Sequence, residues 1–244
     1  MLYCNQERGD IMQLQVIQIR IKVFLLKDIP LNQTATKVTA FLDKGFAKDP
    51  DLLARHEDRG FKWYCNDFFY PPEKDGGYRK GKIYTITVRT ADLKMANYFQ
   101  KVCVDTITDE IKGLTSEIQI IPQKPIQAIW TVTPVIVKTE EGYWKGHMSL
   151  QQFEERLKVN LIKKWNAFPG NDKMEEDFQL YDLLEFINQK PVPFNYKQIC
   201  LLGDKIRLHI SDNERAQKLA YFSLFAGVGE CNSRGAGFVN YQWY

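Results

Sequence analysis

Two groups of residues in this chain have types and spacings suited to chemistry. The first is histidine, present only as His56, His147 and His209. A neutral imidazole is the readiest general base near neutral pH, because its reference pKa is about 6.5. His147 follows Gly146 in a turn-like segment, and His209 alternates with Leu208 and Ile210 on an expected strand. Both read as ordinary loop and strand-face residues. His56 sits near an expected helix end, beside Arg55 and followed by Arg59 and Lys62. Neighbouring cations push an imidazole pKa down, and a helix C-terminus pushes it up. A histidine there can act as a base or simply cap the helix.

The second group is the run Gly227-Val228-Gly229-Glu230-Cys231-Asn232-Ser233-Arg234-Gly235-Ala236-Gly237-Phe238. Two Gly-x-Gly pairs flank five residues. Glycine admits positive φ and close backbone approach, and successive amides in such conformations can face an anion. Ser233 adds a hydroxyl and Arg234 a phosphate-binding fork. The dinucleotide fingerprint does not fit, since Asn232 stands where its third glycine belongs. A P-loop does not fit either, because this run follows a helix and leads into a strand. A tight corner with no ligand needs the same glycines.

These groups are positioned by a definite order of elements. Residues 13–24 alternate as a strand, and Lys37–Ala47 carries Val38, Phe41, Leu42 and Phe46 on one helical stripe. Pro50 opens a second short helix running toward His56. Phe61–Phe69 and Lys82–Arg89 read as strands, Asp92–Val102 as a helix, and Glu117–Ile121 as a strand. The order then recurs. Gln127–Val137 is a strand and Leu150–Phe168 a helix with Phe153, Leu157, Leu161 and Trp165 in register. Phe178–Asn188 fits either strand or helix. Ile199–Ile210 is strand-like, Asp212–Phe225 helical with Ser211 or Asp212 as cap, and Gly237–Tyr244 a last strand. Two β-α-β-β-α-β units predict an α+β chain of tandem ferredoxin-like domains, residues 13–124 and 125–244, joined near Pro122–Pro125. Fold alone assigns no function.

Composition narrows the class. At 244 residues, 44% apolar and 26% charged, the chain is long enough for a real core and is not of disordered type. No apolar run approaches the ~20 residues of a membrane span, and Met1–Met12 lacks a signal-peptide pattern. Five scattered cysteines without a C-x-x-C spacing suggest neither a zinc site nor a disulfide framework, and fit a reducing cytoplasm. No metal or cofactor is expected. The net charge of +3 is too small to mark a nucleic-acid binder by itself. Local clusters carry that reading: Arg55, Arg59 and Lys62, then Arg79, Lys80 and Lys82, and Arg234. Phe61, Trp63, Tyr64, Tyr78 and Tyr84 interleave with them, and at least half of these aromatics belong in a core.

The stretch Leu219–Gly229 followed by Asn232-Ser233-Arg234-Gly235-Ala236-Gly237-Phe238 resembles the signature loop of the sixth CRISPR-associated protein family. His56-Glu57 with Gly60-Phe61-Lys62, and Thr133-Pro134-Val135-Ile136-Val137, resemble two further family segments in the same order. The resemblance spans roughly residues 13–240. It implies a metal-independent endoribonuclease that cuts CRISPR precursor RNA within each repeat, on a pair of ferredoxin-like domains. His56 occupies the family's catalytic place, as base for a ribose 2′-hydroxyl, and Lys62 would stabilise charge on the phosphorane. Gly227, Gly229, Ser233, Arg234, Gly235, Gly237, Arg55 and Arg59 would hold the RNA. The implied partners are repeat RNA and, within an effector complex, other subunits, with this chain a monomer or homodimer. Some members carry a tyrosine on the first helix where this chain has Phe41-Leu42, so no general acid is assigned. A non-catalytic repeat-binding protein of the same fold is the alternative. A ferredoxin-like protein holding a small anion at the glycine loop is a third.

Overall fold

The computed structural model describes residues 14–48, 60–73 and 76–244. The short helix expected after Pro50, and with it Arg55, His56 and Arg59, lies outside the described residues.

The first sheet is built on β1 (Val16–Leu25), whose apolar residues alternate. Ile19, Ile21, Val23 and Leu25 are fully buried, while Arg20 and Lys22 face the other way. That period of two puts one face on a core and leaves one polar. A two-residue strand β2 (Ile29–Pro30) leads into α1 (Thr34–Phe46), which lays Val38, Phe41, Leu42 and Phe46 on the core. Then come β3 (Tyr64–Asn66), β4 (Gly77–Tyr78, paired with β2) and β5 (Ile83–Thr90). Helix α2 (Leu93–Val102) is capped by Asp92, which accepts from the Lys94 and Met95 amides. Strand β6 (Ile111–Ile121) closes the unit. The antiparallel sheet runs β3-β5-β1-β6.

The second half repeats this order. Strand β7 (Ile126–Thr131) is followed by α3 (Leu150–Ala167), opened by a capping box between Ser149 and Gln152. Next are β8 (Tyr181–Phe186), a hairpin of β9 (Val192–Tyr196) and β10 (Ile199–Gly203), and β11 (Ile206–Ile210). Helix α4 (Glu214–Ala226) and β12 (Val239–Trp243) end the chain. The sheet runs β12-β7-β11-β8. Numbered within its own unit, each sheet has the order four-one-three-two, which is the ferredoxin-like topology. The α+β tandem expected from the element order is therefore present. No helix among the described residues is long and apolar enough to cross a membrane.

Several local expectations are corrected. Of Phe61–Phe69 only Tyr64–Asn66 is strand, while β6 begins at Ile111 rather than Glu117. The strand from Gln127 stops at Thr131, beyond which Val135 and Ile136 make single bridges to Asp204 and Glu230. The ambiguous Phe178–Asn188 contains strand β8. Ile199–Ile210 is two strands, because the chain turns at Asp204, whose buried carboxylate accepts from Tyr143, Trp144 and Asn188. The cap of α4 is Asn213, which accepts from the Ala216 amide.

The halves are joined through α4, which is buried on nearly every side. Its Tyr221 hydroxyl accepts from the Val16 amide at 3.0 Å and donates to the Ile121 carbonyl at 2.6 Å. Its Leu224 carbonyl accepts from the Cys65 thiol on β3. A second lock is Arg89 on β5, 3% exposed. It donates to the Gln18 side chain, the Val239 carbonyl and the Asn240 side chain, and stacks 4.4 Å from the Phe238 ring.

Candidate nucleic-acid interface

The glycine loop leaves the C-terminus of α4 and folds back on itself before β12. Gly227 takes φ 68° and ψ 164°, a region open in practice only to glycine. At Gly237 (φ 62°) a Cβ would sit 1.9 Å from the Val228 carbonyl oxygen, so the two arms of the loop touch backbone to backbone. Gly229 packs in the same way on Ile136, and Gly235 on the Phe68 ring just beyond β3. All four glycines are buried.

The loop's amides do not form an open row. Those of Gly227, Val228, Glu230, Arg234, Gly235, Ala236 and Gly237 donate to protein carbonyls. Asn232 staples the arms, its amide donating to the Val228 and Ala236 carbonyls. The glycines thus shape the loop, and what it turns outward is the short 3₁₀ turn Asn232–Arg234, with Ser233 partly exposed and Arg234 exposed.

Lys164, on α3, holds the loop from beneath. It is 3% exposed, and its ammonium donates to the Gly227 and Gly229 carbonyls at 3.0 and 2.7 Å and to Asn232 Oδ1 at 2.7 Å. The Ala226 carbonyl lies at 3.4 Å. A cation placed on the last carbonyls of α4 satisfies groups that the helix itself leaves open. Burial pulls the Lys164 pKa down to about 7. Sequence reading missed this residue, although it breaks the apolar stripe of α3 between Leu161 and Trp165.

Above the loop the two halves converge. Lys62 lies just before β3, partly buried, its carbonyl accepting from the Tyr64 amide at 2.8 Å. Tyr64 is 2% exposed, with the Ser233 hydroxyl alongside its phenol. Burial first, then the Asp43 carboxylate of α1 and Tyr196, drives that phenol well above its ordinary pKa. From the second half, the tip of the β9–β10 hairpin brings Tyr196 under Arg234, with 4.8 Å between guanidinium carbon and ring centroid. Ser233, Arg234, Tyr64, Asp43 and Tyr196 therefore share one junction of α1, β3, the loop and the hairpin, with Lys62 two residues before Tyr64 in the chain. Asp43 and Tyr196 carry no motif and were not singled out in the sequence.

Other expected contacts fall elsewhere. Tyr78 and Tyr84 are buried in the first core, whereas Phe61 is exposed, at 42%. Arg79, Lys80 and Lys82 are exposed on a separate loop, where Lys82 pairs with Glu73. His209 is half-buried on β11 and bonds Glu185 at 2.7 Å, while His147 lies in a turn where its amide donates to the Trp144 carbonyl. Among the described residues no group of three or more His, Cys, Asp or Glu side chains is placed to hold a metal ion.

Residues 121–241 match the family model described as CRISPR associated protein Cas6, C-terminal. No curated protein matches the chain. Solved structures do. A protein from a Cas6-related gene of Pyrococcus furiosus is 18% identical with a TM-score of 0.69, covering 93% of this chain and 98% of its own. One described as an RAMP protein binding different RNA substrates is 17% identical with a TM-score of 0.66, covering 93% and 99%. Thermus thermophilus Cas6 is 14% identical with a TM-score of 0.57, covering 93% and 98%. At these identities the likeness speaks to fold. With the family model over residues 121–241, which include the glycine loop, and this fold over 93% of the chain, the chain belongs to the Cas6 family of CRISPR-associated proteins.

Proposed function

We propose that this protein is a metal-independent endoribonuclease that cuts CRISPR precursor RNA within its repeats. In this reading residues 13–124 carry the catalytic side chains and residues 125–244 the gripping loop. Neutral His56 takes the proton of a ribose 2′-hydroxyl. The 2′-oxygen forms a bond to the adjacent phosphorus, the bond from phosphorus to the 5′-oxygen breaks, and the departing oxygen takes up a proton. The products are a 2′,3′-cyclic phosphate and a 5′-hydroxyl. Lys62 stabilises the charge that develops on the phosphoryl oxygens, and positioned proton transfer supplies roughly 10²–10⁴ in rate. Arg234 and Ser233, with Arg55 and Arg59, hold the strand, while Gly227, Gly229, Gly235 and Gly237 give the loop the shape that turns those two side chains outward.

The supporting observation is the convergence of Ser233 and Arg234 with the start of β3, directly after Lys62, in a member of this family. The similar RAMP structure is described as binding RNA, and another similar structure as a Cas6 product complex. A binding-only reading is favoured by one feature: Phe41 and Leu42 are fully buried, and no hydroxyl stands there on α1. Incubation with repeat RNA in EDTA separates the two. Cleavage that persists in EDTA, stops in His56→Ala with affinity retained, and stops with 2′-deoxyribose at the cleaved position supports the nuclease. Tight binding without cleavage under every condition leaves the binding protein.

A further inference from the structure

We propose that Tyr196, at the tip of the β9–β10 hairpin, is a positioning residue that presents the Arg234 guanidinium to an RNA phosphate. This rests on the reading of Arg234 as an RNA-holding residue. Arg234 is exposed, it ends a 3₁₀ turn, and no ion pair among the described residues engages it. An arginine left alone there would lose much rotamer freedom on binding. The ring of Tyr196 lies 4.8 Å from the guanidinium carbon. Stacking on a ring uses the face of the guanidinium and leaves the N–H edge for a phosphate.

The ring is itself held. Tyr196 closes the hairpin opposite Ile199. The next residue, Lys197, takes φ 55°, and its amide donates to the Thr36 hydroxyl of α1 at 2.8 Å. Phe194, two residues earlier, packs with Ala35, Ile136 and Ala236 in a small core shared by the hairpin, α1 and the glycine loop. A strand of the second half is thus pinned to the first half, and the aromatic ring at its tip meets the one arginine of the glycine loop. Lys197 adds a second cation 5.6 Å from the same ring.

The test is a double-mutant cycle on binding of a repeat RNA carrying 2′-deoxyribose at the cleaved position, read across a salt titration. Tyr196→Ala should weaken binding roughly two- to fivefold, the size of an exposed cation–π pair. Its salt slope should stay that of wild type, because Arg234 still reaches the phosphate. Arg234→Ala should lower the slope by about one. Adding Tyr196→Ala to Arg234→Ala should change nothing more, and Tyr196→Phe should bind as wild type does. An equal loss from Tyr196→Ala in both backgrounds, or a Phe variant as weak as the Ala variant, overturns the proposal. So does a fall in melting temperature for Tyr196→Ala that persists with Arg234 removed and accounts for the weaker binding. Failure of wild type to bind any repeat RNA overturns the RNA reading as well. Binding without cleavage leaves the cycle fully readable.

Discussion

Lys164 is the residue on which the glycine loop depends most. Four oxygens face its buried ammonium, and three of them are backbone carbonyls at the end of α4 and in the loop. Replacing it with methionine leaves those acceptors buried and unpaired, at about 1–3 kcal/mol each before relaxation. Lys164→Met should therefore lower stability by about 3 kcal/mol or more in a urea titration. Its pKa gives a second signature. The folded value of about 7 lies below the unfolded ~10.4. Between those values the unfolded chain binds the proton more tightly, so raising pH stabilises the fold; below pH 7 both forms are protonated and the slope vanishes. Wild type should gain stability relative to Lys164→Met from pH 7 to 10. Parallel profiles for the two would contradict this role.

Among elements, the loop and the hairpin meet at the junction in opposite ways. The loop is a compact plug whose arms touch, so its tolerance for Cβ atoms is low. Gly237→Ala combines a left-handed φ with a collision at the Val228 carbonyl and should cost roughly 2–4 kcal/mol. Ser233→Ala changes only a partly exposed hydroxyl and should leave thermal stability within about 0.5 kcal/mol. Equal melting temperatures for wild type and Gly237→Ala would show that the two arms can separate without loss. The hairpin, by contrast, is attached at its tip and through one small apolar cluster. Its tip has no glycine, and the left-handed position is filled by Lys197. That is why the turn gave no signal and strand β9 before it went unread.

At the scale of the molecule, the buried groups that join the halves through several hydrogen bonds include Tyr221 on α4 and Arg89 on β5. Arg89→Met keeps the apolar stem but leaves the Val239 carbonyl and the Gln18 and Asn240 side chains without their donor. It should destabilise by about 2 kcal/mol. Because those acceptors lie on both halves, it should also broaden the calorimetric transition toward two steps. A single sharp transition, shifted but no broader, would mean that α4 and the hairpin couple the halves without Arg89. The junction above the loop draws side chains from both halves, so loosening it should weaken RNA binding more than the stability loss alone predicts.

The amino-acid sequence by itself determined the element order and most of each core. Alternation in β1 and the three- and four-residue spacing of Phe153, Leu157, Leu161 and Trp165 are local patterns that survive any packing of neighbours. It also marked the glycine loop, since residues that must abandon ordinary φ and tolerate no Cβ advertise themselves. Only the tertiary structure decided that the loop's amides point inward, that Lys164 caps α4 from another helix, and that Tyr196 meets Arg234. The last two facts join residues 38 to 68 positions apart. A contact at such a distance is set by how helices, loop and hairpin stack, and no periodicity within one segment encodes it.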